Sequence, residues 1–357
     1  MILVALTDNM NSVLKNLFLK EKNRSIRMNC QSVISIASVW ILLVSSLSVK
    51  ADEIRWSDLT LKRVLVLGDS ITYGGNYVAY MEAYLRLQFP DRKLDILNMG
   101  LPSETVSGLS EEGHAGGRFP RPDLHERLDR VIEQIKPEVV LACYGMNCGI
   151  YHPYSVSRFE AFKVGMRRLR SRVIASGTDM IHVTPPVFDP VPIAKRTLPA
   201  GLSSYKGPYE GYNEVLNLYA AWLKAMRAEG WKVVDIHDPM NELLRTRRDA
   251  NPSFRFAGDG IHMNPEAHWL TAQWILKSLG APDDFSAWPT PEAMASSTVE
   301  NGIEFVSLIQ KRQRLMCDAW LTKTGHLRPG MSKGLPIDQA LEKAREMDSR
   351  IQELMDH

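Results

Sequence analysis

The sequence predicts an α/β fold built on a five-stranded parallel sheet, with a helical extension towards its C-terminal end. Three observations carry that prediction. From Arg63 onward, short β-branched apolar runs alternate with longer stretches whose apolar residues recur every three and four positions, the pattern of repeated strand and helix units. Apolar residues make up 45% and charged residues 24% of the 357, enough to bury a core and too apolar for wholesale disorder. The residues suited to chemistry fall just after the apolar runs, at the carboxyl ends of strands where such sheets bind ligands.

The expected strands are 63–67 (RVLVL), 94–98 (LDILN), 138–144 (EVVLACY), 180–184 (MIHVT) and 232–236 (KVVDI). Amphipathic periodicity predicts helices over 77–88, 124–135, 157–176 and 209–229, and right-handed crossovers require them to lie on both sheet faces. A helix over 265–279 follows, then a proline-containing stretch at 280–291 and a helical region from about 294, interrupted at 325–336. The expected division is a leader over 1–51, a catalytic-type domain over 52–285 and an extension over 286–357, a helical hairpin packed on that domain.

The leader rests on the apolar run 33–49 (VISIASVWILLVSSLSV), preceded by Lys15, Lys20, Lys22, Arg24 and Arg27 and followed by Val49-Lys50-Ala51, a small-x-small cleavage pattern. This is the layout of a secretory signal peptide, and seventeen residues is short for a permanent membrane span. The expected location is therefore periplasmic or secreted, without stable membrane association after cleavage, the alternative being an uncleaved N-terminal anchor. Residues 1–51 hold six basic and two acidic side chains, so the totals of 43 and 41 become 37 and 39, a net charge of −2. That balance offers no broad basic surface for nucleic acid. Cys143, Cys148 and Cys317 are too few for a disulfide scaffold and show no paired zinc-type spacing.

After the first strand stands Gly68-Asp69-Ser70-Ile71-Thr72. A serine on a strand-to-helix turn has its hydroxyl above the sheet and its N–H near a helix N-terminus, which suits a nucleophile whose attack creates an oxyanion. Taken alone, the same residues also read as a helix cap. Far along the chain, Gly258-Asp259-Gly260-Ile261-His262-Met263-Asn264-Pro265 opens the 265–279 helix. His262 could take the serine proton and Asp259, three residues away, could orient the imidazole, though an isolated DxxH is more often a plain turn. Asn98-Met99-Gly100 ends the second strand and Gly145-Met146-Asn147 follows the third. A glycine lets backbone N–H groups approach closely, and an asparagine amide donates without titrating.

Together these motifs resemble the SGNH hydrolases, or GDSL-type esterases, over about residues 63–280. The resemblance lies in GDSIT at 68–72, the glycine of NMG at Gly100, GMN at 145–147 and DGIHMN at 259–264. It implies a flavodoxin-like three-layer α/β/α fold, with Ser70 as nucleophile, His262 as general base and then acid, and Asp259 orienting it. It also implies an oxyanion hole made of the Ser70 and Gly100 N–H groups and the Asn147 side chain, with no metal or cofactor. One departure is Cys148, where many members carry an acidic residue after the asparagine.

Substrate contacts are expected from the polar, glycine-rich segment 102–122, with His114 and Arg118 as candidates, and from Tyr151 after the third strand. Two features are set aside as structural: Asp235-Ile236-His237-Asp238, read as a loop with a capping aspartate, and His182, read as a satisfied core histidine. The expected activity is removal of a small acyl group, acetyl foremost, from a carbohydrate ester. The alternatives are a lysophospholipase or thioesterase of the same fold, and a non-catalytic glycan-binding protein.

Overall fold

Five parallel strands form one sheet, with β1 (Arg63–Gly68), β2 (Asp95–Asn98), β3 (Val139–Cys143), β4 (Asp179–Val183) and β5 (Lys232–Val234) in the order β2-β1-β3-β4-β5. This is a computed structural model, and it describes residues 55–56, 63–281 and 284–356. The proposed leader at 1–51 lies outside the described residues. The chain steps from β1 outward to β2, then returns to β3 on the other side of β1. That reversal opens a crevice between the carboxyl ends of β1 and β3, where Gly68 sits beside Cys143.

The helices are α1 (Ser70–Gly74), α2 (Asn76–Gln88), α3 (Leu124–Ile135), α4 (Val156–Ala175), α5 (Tyr212–Ala225), α6 (His237–Ala250), α7 (Pro265–Ser278), α8 (Pro291–Ser296), α9 (Gly302–Thr324) and α10 (Ile337–Met355). Strand residues alternate between two cores, as a period of two requires. Leu65, Leu67, Val140 and Ala142 pack with Leu128 and Val131 of α3, Phe162 of α4 and Leu216 of α5. Val64, Val66 and Leu141 face the other way, against Val78 and Met81 of α2 and Trp269 and Ile275 of α7. The result is the flavodoxin-like three-layer α/β/α architecture, with helices on both faces.

Helix α6 was not expected. Its residues are mostly polar, with only His237, Met240 and Leu244 buried, so its apolar stripe is short. The Asp235 carboxylate accepts from the His237 N–H at 3.0 Å and so starts the helix where a loop was read. The expected 209–229 helix is also shorter, giving way at Met226 to a single 3₁₀ turn.

Helix α9 ties the C-terminal region to the sheet. Phe305, Val306 and Ile309 join one core, while Met316 and Cys317 join the other, so the helix wraps the β2 edge. At that edge the Gln313 amide donates to the Ile96 carbonyl at 2.8 Å and also to buried Glu82 of α2, which Arg86 and Arg312 approach as well. An exposed strand edge is a template for unwanted pairing. Here α9 covers it, and helix α10 packs along α9.

Candidate active site

The turn after β1 delivers Ser70 as the first residue of α1. Asp69 caps that helix, its Oδ1 accepting from the Ile71 N–H at 2.9 Å. The 257–264 loop is folded by its own aspartate: Asp259 Oδ1 accepts from the N–H groups of Ile261 at 3.0 Å and His262 at 2.8 Å. Gly260, at φ +79°, makes this turn possible, since a Cβ there would lie 2.3 Å from the Asp189 carbonyl oxygen. Asn264 then caps α7, accepting from the Ala267 N–H at 2.8 Å, with Pro265 at the first helical position.

These two loops bring Ser70, His262 and Asp259 into one line although 192 residues separate Ser70 from His262. The Ser70 hydroxyl lies 2.9 Å from His262 Nε2, and His262 Nδ1 lies 2.6 Å from Asp259 Oδ2. Partial burial pushes the Asp259 carboxyl up, but the hydrogen bonds from the His262 ring and from the backbone N–H groups of His262 and Ile261 outweigh it and hold the group below its ordinary value. It is therefore ionised at neutral pH and fixes the tautomer with the proton on Nδ1, leaving Nε2 free to accept from serine. The His262 and Asp259 side chains are 52% and 46% exposed, so an ester can reach the line from solvent.

Asn147 is 3% exposed and held at both ends of its amide. Its Oδ1 accepts from the Tyr151 hydroxyl at 2.9 Å, and its Nδ2 donates to the Glu104 carbonyl at 3.2 Å, leaving one N–H to aim elsewhere. Tyr151, expected to touch substrate, thus first serves as the anchor of Asn147. The strand exit needs Gly145, at φ +146°, because a Cβ there would meet the Pro185 ring at 2.7 Å. Cys148, in place of the acidic residue, is buried against the 105–107 loop: its thiol accepts from the Val106 N–H at 3.5 Å and its carbonyl from the Ser107 hydroxyl. Burial pushes that thiol up to about 12, so it is inert.

Gly100 does not occupy the position expected of it. Its N–H donates to Asn98 Oδ1 at 2.9 Å and is thereby engaged. The glycine is required for packing instead, since a Cβ would stand 2.3 Å from the Tyr73 nitrogen and 2.9 Å from the Asp69 carbonyl. Three residues on, Leu101-Pro102-Ser103-Glu104 forms a tight turn, closed by the Glu104 N–H to the Leu101 carbonyl at 3.1 Å, with Ser103 at φ +69°. Proline second and positive φ third is a type II pattern, which turns the third residue's N–H outward. Sequence reading missed it because glycine usually marks that position.

His114 lies beside this centre, and Arg118 lines an adjoining cavity. A cleft of about 280 Å³ is lined by Glu111, His114, Arg121, Tyr151, Tyr205 and Ile261, among others, and so opens next to His262. Arg121 is fixed there by a two-pronged bond to Glu111, at 2.6 Å for both contacts, and lies over the Tyr151 ring. The residues set aside earlier are elsewhere: His237 Nδ1 contacts the Pro185 carbonyl and Nε2 the Asn217 amide. His182 is buried against Trp231, yet its ring nitrogens have no partner among the described residues, so it is a core histidine but not a satisfied one. Burial pushes it down to about 3. Among the described residues no group of three or more metal-ligating side chains comes together.

Asp69 beside the serine carries a testable cost. Burial raises its carboxyl from 3.8 to about 6 despite the Ile71 N–H and the nearby positive charges. A raised carboxyl is a proton the native state keeps and the unfolded chain loses, so its charging destabilises the fold as pH rises through this window. Asp69→Asn keeps the capping oxygen and removes the charge. It should melt higher than the parent at pH 8, by up to about 3 kcal/mol in stability, with the gain vanishing near pH 4. Thermal unfolding of both proteins at the two pH values checks this.

A parallel α/β sheet with this centre at its carboxyl edge defines an ester hydrolase fold. The chain belongs to the GDSL-like lipase/acylhydrolase family, whose model matches residues 66–270. It is a carboxylic ester hydrolase. Solved structures with a similar fold include an acetylxylan esterase from Geobacillus stearothermophilus, 21% identical at a TM-score of 0.46, covering 62% of this chain and 94% of that one. An α/β hydrolase from the metagenome of Lake Arreo, Spain, is 22% identical at 0.47, covering 62% and 97%. A gut microbial diltiazem-metabolizing enzyme is 21% identical at 0.48, covering 61% of this chain, which spans 47% of that longer chain. Among curated protein sequences none matches significantly.

Proposed function

We propose that the protein is an exported serine esterase that removes a small acyl group, acetyl foremost, from a carbohydrate. The observation that carries the catalytic part is the unbroken line of hydrogen bonds from Ser70 Oγ through His262 to Asp259. Ser70 attacks the ester carbonyl as His262 Nε2 takes its proton; the tetrahedral intermediate collapses, His262 gives that proton to the departing sugar oxygen so that it leaves as a hydroxyl, and an acyl-serine remains. Water, activated by the same imidazole, then releases the acid and restores the serine.

The intermediate's oxyanion is received by the free N–H of Asn147, the Ser70 N–H and the N–H of Ser103, which takes the part expected of Gly100. Ser103 is favoured because its positive φ fits the third position of a type II turn and the next residue's carbonyl holds the Asn147 amide. Donors fixed before reaction need no reorganisation as charge develops. A short acyl group and a sugar alcohol suit the cleft, whose lining sets Glu111, Glu112, Arg121 and Lys206 among Ile150, Ile261 and the rings of Tyr151 and Tyr205. Export rests on the basic and apolar pattern of residues 1–51.

Hydrolysis of p-nitrophenyl acetate, butyrate and octanoate tests the reading. The expected profile is acetate first, with kcat/KM falling at least ten-fold to octanoate. Octanoate preference would replace the carbohydrate assignment with a lysophospholipase or thioesterase. Glycan binding by a folded preparation that turns over none of the three esters would leave a binding protein.

A further inference from the structure

A second cavity, of about 520 Å³, adjoins the cleft beside His262. It is lined by Ser103, His114, Arg118, Phe119, Arg328 and Gly330, with Ala115 and Pro329. His114 and Ala115 line both spaces, so the two lie side by side, one reaching Ile261 next to His262 and the other reaching Ser103. One wall comes from the C-terminal region: Arg328 lies in the connection between α9 and α10, 226 residues from the Pro102 whose carbonyl it holds at 2.9 Å.

The charge in this cavity is one-sided. Arg118 donates Nε to the Ala115 carbonyl at 2.8 Å, and Arg328 donates to the Pro102 and Pro329 carbonyls, with its guanidinium 5.4 Å from the centre of the Phe119 ring. Neither has a carboxylate partner among the described residues, and no carboxylate lines the cavity. Arg121, a few residues away, shows the contrast, since Glu111 neutralises it. Backbone carbonyls orient a guanidinium without cancelling its charge, and its remaining N–H groups are shaped for a planar two-oxygen anion. The aromatic ring adds a flat apolar surface of the kind a sugar ring covers.

We infer that this cavity, at Arg118 and Arg328, is an anion subsite, which selects esters on saccharides bearing a carboxylate. It rests on the esterase reading of the Ser70 centre and deepens it by naming the substrate class. The acylated sugar lies over Ser70, and the acidic sugar, the same residue or its neighbour, reaches the two guanidinium groups. The extension is thereby part of the substrate site.

Two measurements test this. In the first, Ser70→Ala protein is titrated with unesterified trigalacturonate and, separately, with neutral xylotriose. The acidic sugar should bind at least ten-fold tighter at low salt, an advantage that shrinks with added chloride and is lost when Arg118→Gln and Arg328→Gln are added. Arg328→Lys should retain part of it, and melting curves show that each variant is folded. Equal binding of the two sugars, or an advantage untouched by the arginine changes, overturns the subsite. In the second, the active protein is compared on acetylated galacturonan and acetylated xylan, where the kcat/KM ratio should fall at least ten-fold in the double variant. Absence of any turnover, with uronate binding intact, would count against the esterase reading and leave the anion site standing.

Discussion

Ser70→Ala is expected to lower kcat on p-nitrophenyl acetate by roughly 10⁴-fold or more while leaving KM within a few-fold. In the proposed mechanism the hydroxyl forms the bond to the acyl carbon, and among the described residues it is the nucleophile that meets His262 Nε2, 2.9 Å from it. Substrate positioning by the cleft and the oxyanion donors survives the change, so a residual rate above that of water should persist. In the proposed mechanism the three residues act as a unit. Adding His262→Ala to Ser70→Ala should therefore cost little further, whereas independent contributions would multiply. Steady-state kinetics on the single and double variants checks both statements, and a Ser70→Ala protein retaining a tenth of the parent rate would remove the serine from the mechanism.

The line that makes this prediction possible was largely legible in the sequence, for a reason particular to its residues. Ser70 and His262 both sit in short motifs whose turns are folded by their own aspartates, Asp69 and Asp259, so local sequence dictates local geometry. The strands were legible because β-branched runs such as RVLVL have few alternatives once helices flank them. Helix α6 was not, since a stripe of Met240, Leu243 and Leu244 is too short to stand out and a polar surface helix resembles a loop. Gly100 misled because a glycine after a strand suggests an open N–H, whereas Asn98, two residues earlier, accepts it. The contact between Arg328 and Pro102 could not be read at all, as it depends on how α9 crosses the β2 edge and where the chain then returns.

Asn147 carries the second large effect. Asn147→Asp keeps the shape of the side chain and removes its donor, and kcat should fall about 10²–10³-fold, or roughly 3–4 kcal/mol, with KM little changed. The split follows from when the interaction exists: the ground-state carbonyl gains little from the amide, and the charged intermediate gains much. Tyr151 makes the argument sharper, because its hydroxyl holds Asn147 Oδ1 at 2.9 Å and so decides where the free N–H points. Tyr151→Phe keeps the ring that lines the cleft and deletes that hold, so kcat should fall by about ten-fold, again with KM preserved. If Tyr151 served only as a wall for the sugar, Tyr151→Phe would be silent and Tyr151→Ala would raise KM. In the Asn147→Asp background the hydroxyl has no amide left to orient, so Tyr151→Phe should add almost nothing there. A full ten-fold loss in that background would separate the two residues and assign Tyr151 a role of its own.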